Sequence, residues 1–281
     1  MAEGLWSEVV RGIGFTEGPL WMPDGTLLVT SMSRGLLYRL RLDDSSDPVV
    51  ATYETGGGPN GLALHPDGSV VIAQNGSTAF ASRSERPALP GIQVLVDGTV
   101  HDVLTTDCAA PNDLLIAPDG SVWFTDPGSS AAVGFAPCVR RYDLASGTLD
   151  TLVSEVQFPN GLALGTDGTF YLADSITHEI LAFGVAPEGL VDRSVFGVAA
   201  HGGPDGIAFD ADGNLYVAAF ESNEVVVLDS SGHVARRIPT GEGSRPTNLC
   251  FAGPELDQLV VTLASGGRVI VLDERIPGRS L

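Results

Sequence analysis

The most constraining feature of this chain is a short phrase that returns six times along it. The copies start at Phe15, Gly58, Ala110, Phe158, Gly203 and Arg245, and they read FTEGPLWMPDGTLLVTS, GPNGLALHPDGSVVIAQ, APNDLLIAPDGSVWFTD, FPNGLALGTDGTFYLAD, GPDGIAFDADGNLYVAA and RPTNLCFAGPELDQLVV. The third residues of successive copies are 42 to 52 residues apart. A β-rich repeat of this length is typical of a β-propeller, in which each repeat forms one blade.

Turn chemistry divides each copy into a hairpin. The first five copies carry an Asp-Gly pair at a fixed distance from the third residue, at Asp24-Gly25, Asp67-Gly68, Asp119-Gly120, Asp167-Gly168 and Asp212-Gly213. Asp-Gly supplies the positive φ that two-residue hairpin loops require, and short apolar strands flank each pair. Two more strands follow each hairpin. The pattern therefore predicts an all-β fold, a six-bladed β-propeller with four antiparallel strands per blade, forming one domain over residues 1–281.

The last repeat offers only three strands, which we predict at Leu249–Phe251, Gln258–Leu263 and Arg268–Leu272. A blade that lacks its outer strand would leave an exposed sheet edge. The N-terminal segment Trp6–Val10 has the apolar character of a strand and is the best candidate to complete it. We therefore predict that the ring is closed by pairing of the two ends of the chain.

Composition excludes several classes of function. The net charge of −20 argues against nucleic acid and anionic membranes as partners, because both require basic patches. All 15 basic residues are arginine, which excludes Schiff-base and lysine-nucleophile chemistry. No apolar run approaches the roughly 18 residues of a membrane span, and the start of the chain does not resemble a signal peptide. We expect a cytoplasmic protein that acts on a small molecule; the sequence leaves the oligomeric state open and is compatible with a monomer.

The third position of the repeat is the candidate functional position. Its occupants are Glu17, Asn60, Asn112, Asn160, Asp205 and Thr247. In a propeller the innermost strands line a central channel, so symmetry brings these equivalent residues around one axis. Two carboxylates and three amides are suitable oxygen ligands for one hard divalent cation. Ca²⁺ is favoured, with Mg²⁺ and Mn²⁺ as alternatives, and Zn²⁺ is less suitable because no His or Cys occupies the ring.

Each of these residues also has a simpler interpretation. Asn and Asp in front of a strand often close a turn with their own backbone. A bound ion could also be structural only. Catalysis is favoured because ligands from only four blades leave coordination positions for a substrate carbonyl, and a carboxylate of the ring could then act as general base.

The motifs TEGPLW, PNDLLIAPDG, PNGLALGTDG and PDGIAFDADGNLYVA resemble those of the SMP-30/gluconolactonase/luciferin-regenerating family of six-bladed propellers, over essentially the whole chain. The resemblance implies that Glu17, Asn160 and Asp205 bind the metal, that Asn112 joins them or contacts substrate, and that Asp205 is the catalytic base or nucleophile. It also implies hydrolysis of lactones, with related propellers that hydrolyse organophosphates.

One position departs from the family pattern. Sugar lactonases of this family place an arginine two residues before the Asn of the PND motif, where this chain has Ala110. We therefore expect a less polar lactone or ester. Asn60, Asn112, His201 and Thr247 are the candidate substrate-binding residues, while the segments Asn75–Pro90 and Asp126–Pro137 are candidate walls of the channel mouth.

The sequence thus predicts a metal-dependent hydrolase of lactones or related esters, in which the metal polarises the carbonyl and Asp205 activates water. Two alternatives remain open at this point. The same ion could serve a cyclase, isomerase or lyase that acts on a secondary metabolite, since the metal would polarise a carbonyl in each case. The chain could also be a calcium-binding propeller without catalytic activity.

Overall fold

The computed structural model describes residues 5–43, 46–129, 132–187, 189–199 and 202–279. Among these residues 24 strands form six four-stranded antiparallel sheets, one per blade, and there is no helix. Blades 1 to 3 contain β2 (Thr16–Trp21), β3 (Leu27–Ser31), β4 (Leu36–Leu40) and β5 (Val49–Glu54); β6 (Pro59–Leu64), β7 (Val70–Gln74), β8 (Gly91–Val96) and β9 (Thr99–Leu104); and β10 (Leu114–Ile116), β11 (Val122–Asp126), β12 (Cys138–Tyr142) and β13 (Leu149–Val153).

The other three blades repeat this arrangement. They contain β14 (Pro159–Leu164), β15 (Phe170–Asp174), β16 (Glu179–Ala186) and β17 (Gly189–Val198); β18 (Pro204–Phe209), β19 (Leu215–Ala219), β20 (Glu224–Leu228) and β21 (Val234–Pro239); and β22 (Pro246–Ala252), β23 (Gln258–Leu263), β24 (Arg268–Leu272) and β1 (Trp6–Val10). The inner strand of each blade lies beside the inner strands of both neighbouring blades, including β2 beside β22. The predicted six-bladed propeller is therefore confirmed.

The ring is closed by strand β1, as predicted. Trp6 pairs with Leu272 and Ser7 with Val271, so β1 forms the outer edge of blade 6. The Trp6 indole N–H also donates to the Pro239 carbonyl of blade 5 at 2.9 Å. Thr247 in β22 ties blade 6 to blade 1, because its hydroxyl donates to the Thr16 carbonyl at 2.8 Å. The first and last strands of the chain therefore lie in the same sheet, and the two hydrogen bonds join that sheet to blades 5 and 1.

The Asp-Gly turns connect the two inner strands of each blade, but they differ in type from the prediction. In blade 1 the Gly25 N–H donates to the Met22 carbonyl at 3.0 Å, and Met22 N–H donates to the Thr26 carbonyl at 2.8 Å. Gly25 has a φ of 80°, whereas Asp24 is not among the residues with positive φ. The loop is therefore a three-residue loop with glycine in the left-handed position, and the Asp24 carboxylate accepts the Thr26 N–H at 3.1 Å.

Apolar side chains fill the spaces between the blades. Each pair of neighbouring blades encloses one cluster of buried hydrophobic residues, so the described chain has six such clusters. Leu37 of blade 1 packs with Ile72 of blade 2, and Val122 of blade 3 packs with Val71 on the other side of blade 2. Both faces of a blade are therefore buried, which explains why the inner strands are nearly continuous runs of apolar residues.

The two ends of the channel differ in the connections they carry. The Asp-Gly loops lie at one end, whereas the starts of the inner strands and the connections between second and third strands lie at the other end, called here the mouth. Two of those connections are long, residues 75–90 in blade 2 and 127–137 in blade 3. None of the described residues belongs to a helix that is long and apolar enough to cross a bilayer.

Candidate functional site

The third residue of the repeat is the second residue of the inner strand in five blades. Each of these strands carries an irregularity of its pairing with the next strand at this point, for example between Glu17 and Leu20 and between Pro204 and Ile207. Irregularities of this kind interrupt the alternation of side chains and re-aim a residue. Glu17, Asn60, Asn160 and Asp205 are all buried, with exposed fractions of 4%, 3%, 6% and 9%.

The structure adds two residues that the sequence analysis did not single out. The fourth position of the repeat is glycine in blades 1, 2, 4 and 5, but it is Asp113 in blade 3 and Asn248 in blade 6. These are opposite blades of the ring, yet the Asn248 side-chain amide donates to the Asp113 carboxylate at 3.3 Å. Both side chains are buried. The pair therefore bridges the channel, and it brings a third carboxylate to Glu17 and Asp205.

The glycines at the fourth position make room for this polar group. A Cβ on Gly61 would overlap the Asp113 carboxylate, and a Cβ on Gly206 would overlap the Asn248 amide oxygen. In each case the fourth residue of one blade abuts the next blade of the ring. The exchange of glycine for Asp113 and Asn248 in two copies was therefore the sequence signal that could have identified the bridge.

The pKa values of all three carboxylates are raised. Burial raises the pKa of Glu17 to about 8, and the charge of Asp113 adds to the rise. Burial raises the pKa of Asp113 to about 6. The pKa of Asp205 lies well above its ordinary value because of burial first and the charges of Glu17 and Asp113 next. Hydrogen bonding by the Asn248 amide opposes the rise for both Glu17 and Asp113.

This group of residues fits a cation. No ion pair to an arginine or histidine neutralises the three carboxylates within the described part of the chain. The Asn60 amide oxygen is buried and has no hydrogen-bond partner there. The described residues contain no group of three His, Cys, Asp or Glu placed to hold one ion by themselves, so amide ligands would have to contribute. Such a mixture of carboxylate and amide oxygens suits Ca²⁺ in particular.

The remaining asparagines of the ring are held by their surroundings. The Asn160 amide nitrogen donates to the Ser175 hydroxyl at 3.1 Å, and that hydroxyl donates to the Pro204 carbonyl at 2.7 Å. This anchors the nitrogen, so the amide oxygen is the atom available as a ligand. Asn112 is half-buried, and its backbone N–H donates to the Thr125 carbonyl at 2.8 Å. Its side chain forms no hydrogen bond with the described residues.

Two predicted substrate-binding residues have different outcomes. Thr247 is fully buried, and its hydroxyl is engaged with the backbone of Thr16 and with Thr262, so it presents no free group to the channel. In blade 6 the next residue, Asn248, is the one whose side chain enters the polar group of the channel. His201 lies outside the described residues.

Asp126 and Asp174 cap the loops at the mouth. The Asp126 carboxylate accepts the backbone N–H groups of Ala109 and Ala110 at 2.9 and 2.8 Å. Asp174 accepts those of Gln157 and Phe158 at 2.8 and 3.1 Å. These carboxylates hold the segments that lead into the inner strands of blades 3 and 4, and thereby fix Asn112 and Asn160.

We expect Asn248→Leu to lower the affinity for Ca²⁺ by about 10- to 100-fold, because a hydrogen bond to a charged group contributes roughly 1.5–3 kcal/mol. The variant keeps the size of the side chain but removes the donor that fixes Asp113 and Glu17. Isothermal titration calorimetry of the chelator-treated protein measures the change.

The matched control is Asn214→Leu, which breaks another amide–carboxylate hydrogen bond, the 2.8 Å contact with Asp210 at the far end of blade 5. It should destabilise the fold without weakening the binding of Ca²⁺. Equal affinities for Asn248→Leu and the wild type would contradict a role for Asn248 in the ring.

Comparisons with known proteins agree with this fold. Residues 15–265 match the family described as the SMP-30/Gluconolactonase/LRE-like region. A gluconolactonase from Zymomonas mobilis is 24% identical over 273 residues, covering 86% of this chain and 74% of the relative. A pentonolactonase from Haloferax volcanii is 29% identical over 262 residues, covering 89% and 81%.

Solved structures show the same architecture. A gluconolactonase from Xanthomonas campestris superimposes with a TM-score of 0.78 at 26% identity, covering 96% of this chain and 89% of the other. The family match extends over all six inner strands, and it includes the three buried carboxylates and the amides beside them. The chain therefore belongs to the SMP-30/gluconolactonase/LRE-like family.

Proposed function

We propose that this protein is a divalent-metal-dependent hydrolase of lactones or related esters. The observation that carries the proposal is the group of three buried carboxylates, Glu17, Asp113 and Asp205, which has no cationic side chain as a partner among the described residues and has amide oxygens beside it. The lactonase relatives support the reaction class. Their low identity leaves the substrate to be argued from the residues of this chain.

Glu17, Asn112, Asn160 and Asp205 are the residues that would hold the cation, with Asn60 contributing its unpartnered amide oxygen to the same region. The bound cation would supply Lewis acidity toward the carbonyl oxygen of the substrate. Glu17 and Asp205 would balance its charge, and the anchored amide of Asn160 would fix the position of its ligand oxygen.

Asp205 is the proposed general base. Burial and neighbouring charge raise its pKa in the cation-free site, and a bound cation would keep this carboxylate ionised, so that it can accept a proton near neutral pH. Asp205 would take a proton from water as the water oxygen attacks the carbonyl carbon. The ring C–O bond then breaks, and the same proton passes to the departing alkoxide, so that a hydroxy acid is released.

The residues around the mouth favour a substrate that is less polar than a sugar lactone. Ala110 is buried, and its N–H is used by Asp126, so this position offers no group to sugar hydroxyls. Arg86 lies on the long loop of blade 2, and its guanidinium donates to the Glu54 and Val100 carbonyls. These bonds occupy the group, so we do not assign it to substrate binding. Phe15 and Phe80 provide apolar surface at the same end of the channel.

A substrate screen on chelator-treated protein, with each divalent ion restored in turn, tests the proposal. We expect hydrolysis of alkyl or aryl lactones that depends on the added ion, with Ca²⁺ the most effective, and a lower kcat/KM for gluconolactone. The screen includes aryl esters and phosphotriesters, and product masses are measured because hydrolysis adds water whereas cyclisation does not. Absence of any turnover, together with stabilisation by Ca²⁺, would instead support a non-catalytic calcium-binding propeller.

A further inference from the structure

An open cleft lies beside the channel mouth, between blades 1 and 6. Its volume is about 420 Å³, and it is lined by Phe15, Phe80, Gly243, Arg245, Ala264 and Ser265. Phe15 is two residues before Glu17, and Arg245 is two residues before Thr247. The cleft therefore begins where two inner strands enter the channel, next to the carboxylate group described above.

One wall of the cleft is aromatic. The ring centroids of Phe15 and Phe80 are 5.0 Å apart with a tilt of 50°. Phe15 is fixed by its backbone, since its N–H donates to the Ser33 hydroxyl at 2.8 Å and its carbonyl accepts the Met32 N–H at 2.9 Å. Phe80 belongs to the long loop of blade 2 and remains 42% exposed despite this contact. The pair thus presents apolar surface that another aromatic or alkyl group can cover.

The other wall carries a guanidinium without an anionic partner. Arg245 lies over the Phe220 ring at 5.6 Å and forms no side-chain hydrogen bond or ion pair with the described residues. Its backbone is held on both sides, by the Asn223 amide oxygen at 3.1 Å and by the Ala264 N–H at 2.9 Å. Its φ of 55° lies in the left-handed region, and the two backbone hydrogen bonds hold the base of the side chain in this position.

This guanidinium is unusual within the chain. Thirteen of the fifteen arginines donate a side-chain hydrogen bond to a carboxylate, carbonyl, hydroxyl or thiol group. Arg245 and Arg83, which donate no such bond to the residues that the structure describes, both lie at the mouth, and Arg83 is three residues from Phe80. These two guanidinium groups therefore keep all of their hydrogen-bond donors available, and both lie at the end of the channel where the cleft opens.

We propose that the cleft binds the tail of the substrate, and that this tail is an aryl or alkyl chain that ends in a carboxylate. The chain would cover Phe15 and Phe80, and the carboxylate would pair with Arg245, whose planar guanidinium can form two parallel hydrogen bonds with it. The inference rests on the proposed function for the identity of the reacting lactone group, but binding of the tail can be measured without any reaction.

The binding experiment uses 4-phenylbutyrate as the probe and the full chain, with and without Ca²⁺, followed by NMR titration. We expect Arg245→Gln to weaken binding of the probe at least tenfold and Phe80→Ala to weaken it several-fold, with Phe80→Leu restoring part of the loss. The control Arg193→Gln removes an arginine that bonds to the Glu155 carbonyl between blades 3 and 4, on the other side of the ring from the cleft, and should leave binding unchanged. Binding that needs Ca²⁺ and is insensitive to Arg245→Gln would place the probe on the cation and overturn the proposal.

A kinetic comparison separates this inference from the proposed function. We expect a lactone with a carboxyalkyl tail to have at least a tenfold lower KM than its methyl ester, and Arg245→Gln to abolish that difference with little change in kcat. If both lactones are hydrolysed with the same KM, the proposed tail-binding site is contradicted, whereas the proposed hydrolase activity is supported. If neither lactone is hydrolysed but 4-phenylbutyrate binding still depends on Arg245, the proposed binding site is supported and the proposed hydrolase activity is contradicted.

Discussion

Replacing Asp205 by Asn is expected to lower kcat on a lactone substrate by about 10²- to 10⁴-fold while the fold survives and the divalent cation stays bound. The amide can still offer an oxygen as a ligand, but it cannot accept a proton from water. Loss of one of the two balancing charges should also lower the affinity for the cation, so the comparison is made at a Ca²⁺ concentration that saturates the variant. Metal content, melting temperature and kcat at saturating Ca²⁺ are therefore measured on the same preparation.

Asp210→Asn is the matched control for this variant. Asp210 is also a buried carboxylate of blade 5, 4% exposed, but it lies at the other end of the inner hairpin, where it accepts the N–H groups of Asp212 and Asn214 at 3.0 and 2.8 Å. We expect this control to lower stability and to leave kcat nearly unchanged. A near-normal kcat for Asp205→Asn with metal bound would make Asp205 a ligand only, and Glu17 would become the next candidate for the base.

The architecture was predictable because it depends on periodic features. Six copies of one apolar pattern specify six blades, and a last blade with three strands requires a fourth from elsewhere, which identified Trp6–Val10. The loop type was less accessible. Asp-Gly predicts a tight hairpin loop, but whether the loop has two or three residues depends on the backbone conformation of the residue before the pair. Here Met22 N–H donates to the Thr26 carbonyl across a three-residue loop.

The composition of the channel could be predicted only in part. Reading the third position of the repeat identified Glu17, Asn60, Asn160 and Asp205 as buried near the axis. The direction of individual side chains depends on irregular strand pairing, which the sequence pattern does not show. In blade 6 the Thr247 hydroxyl bonds to the Thr16 carbonyl, and Asn248 bonds across the channel to Asp113. The cleft at the mouth could not be predicted in this form, since the contact of Phe80 with Phe15 depends on how a long loop folds over another blade.

The carboxylate group also predicts how stability should depend on pH. The pKa of Glu17 rises from an ordinary value of 4.5 to about 8 in the fold, and that of Asp113 from 3.8 to about 6. Asp205 shifts in the same direction, with a further contribution from the charge of Glu221. Between about pH 4 and pH 8 the cation-free folded state therefore binds more protons than the unfolded state. Its free energy of unfolding should fall as pH rises through this window.

Ca²⁺ should reverse this trend, because it binds the ionised carboxylates and displaces their protons. We expect a small effect of Ca²⁺ on the melting temperature at pH 5 and an increase of roughly 5–10 °C at pH 8, since a ligand at 100 times its Kd adds about 2.7 kcal/mol to the free energy of unfolding. Scanning calorimetry with Ca²⁺ or with a chelator, at both pH values, measures the difference. Glu17→Gln should remove most of the dependence on both pH and Ca²⁺, because it deletes the carboxylate with the pKa of about 8 and half of the charge that Glu17 and Asp205 provide to balance the ion. An equal stabilisation by Ca²⁺ at pH 5 and pH 8 in the wild type would show that the cation binds elsewhere than at these three carboxylates.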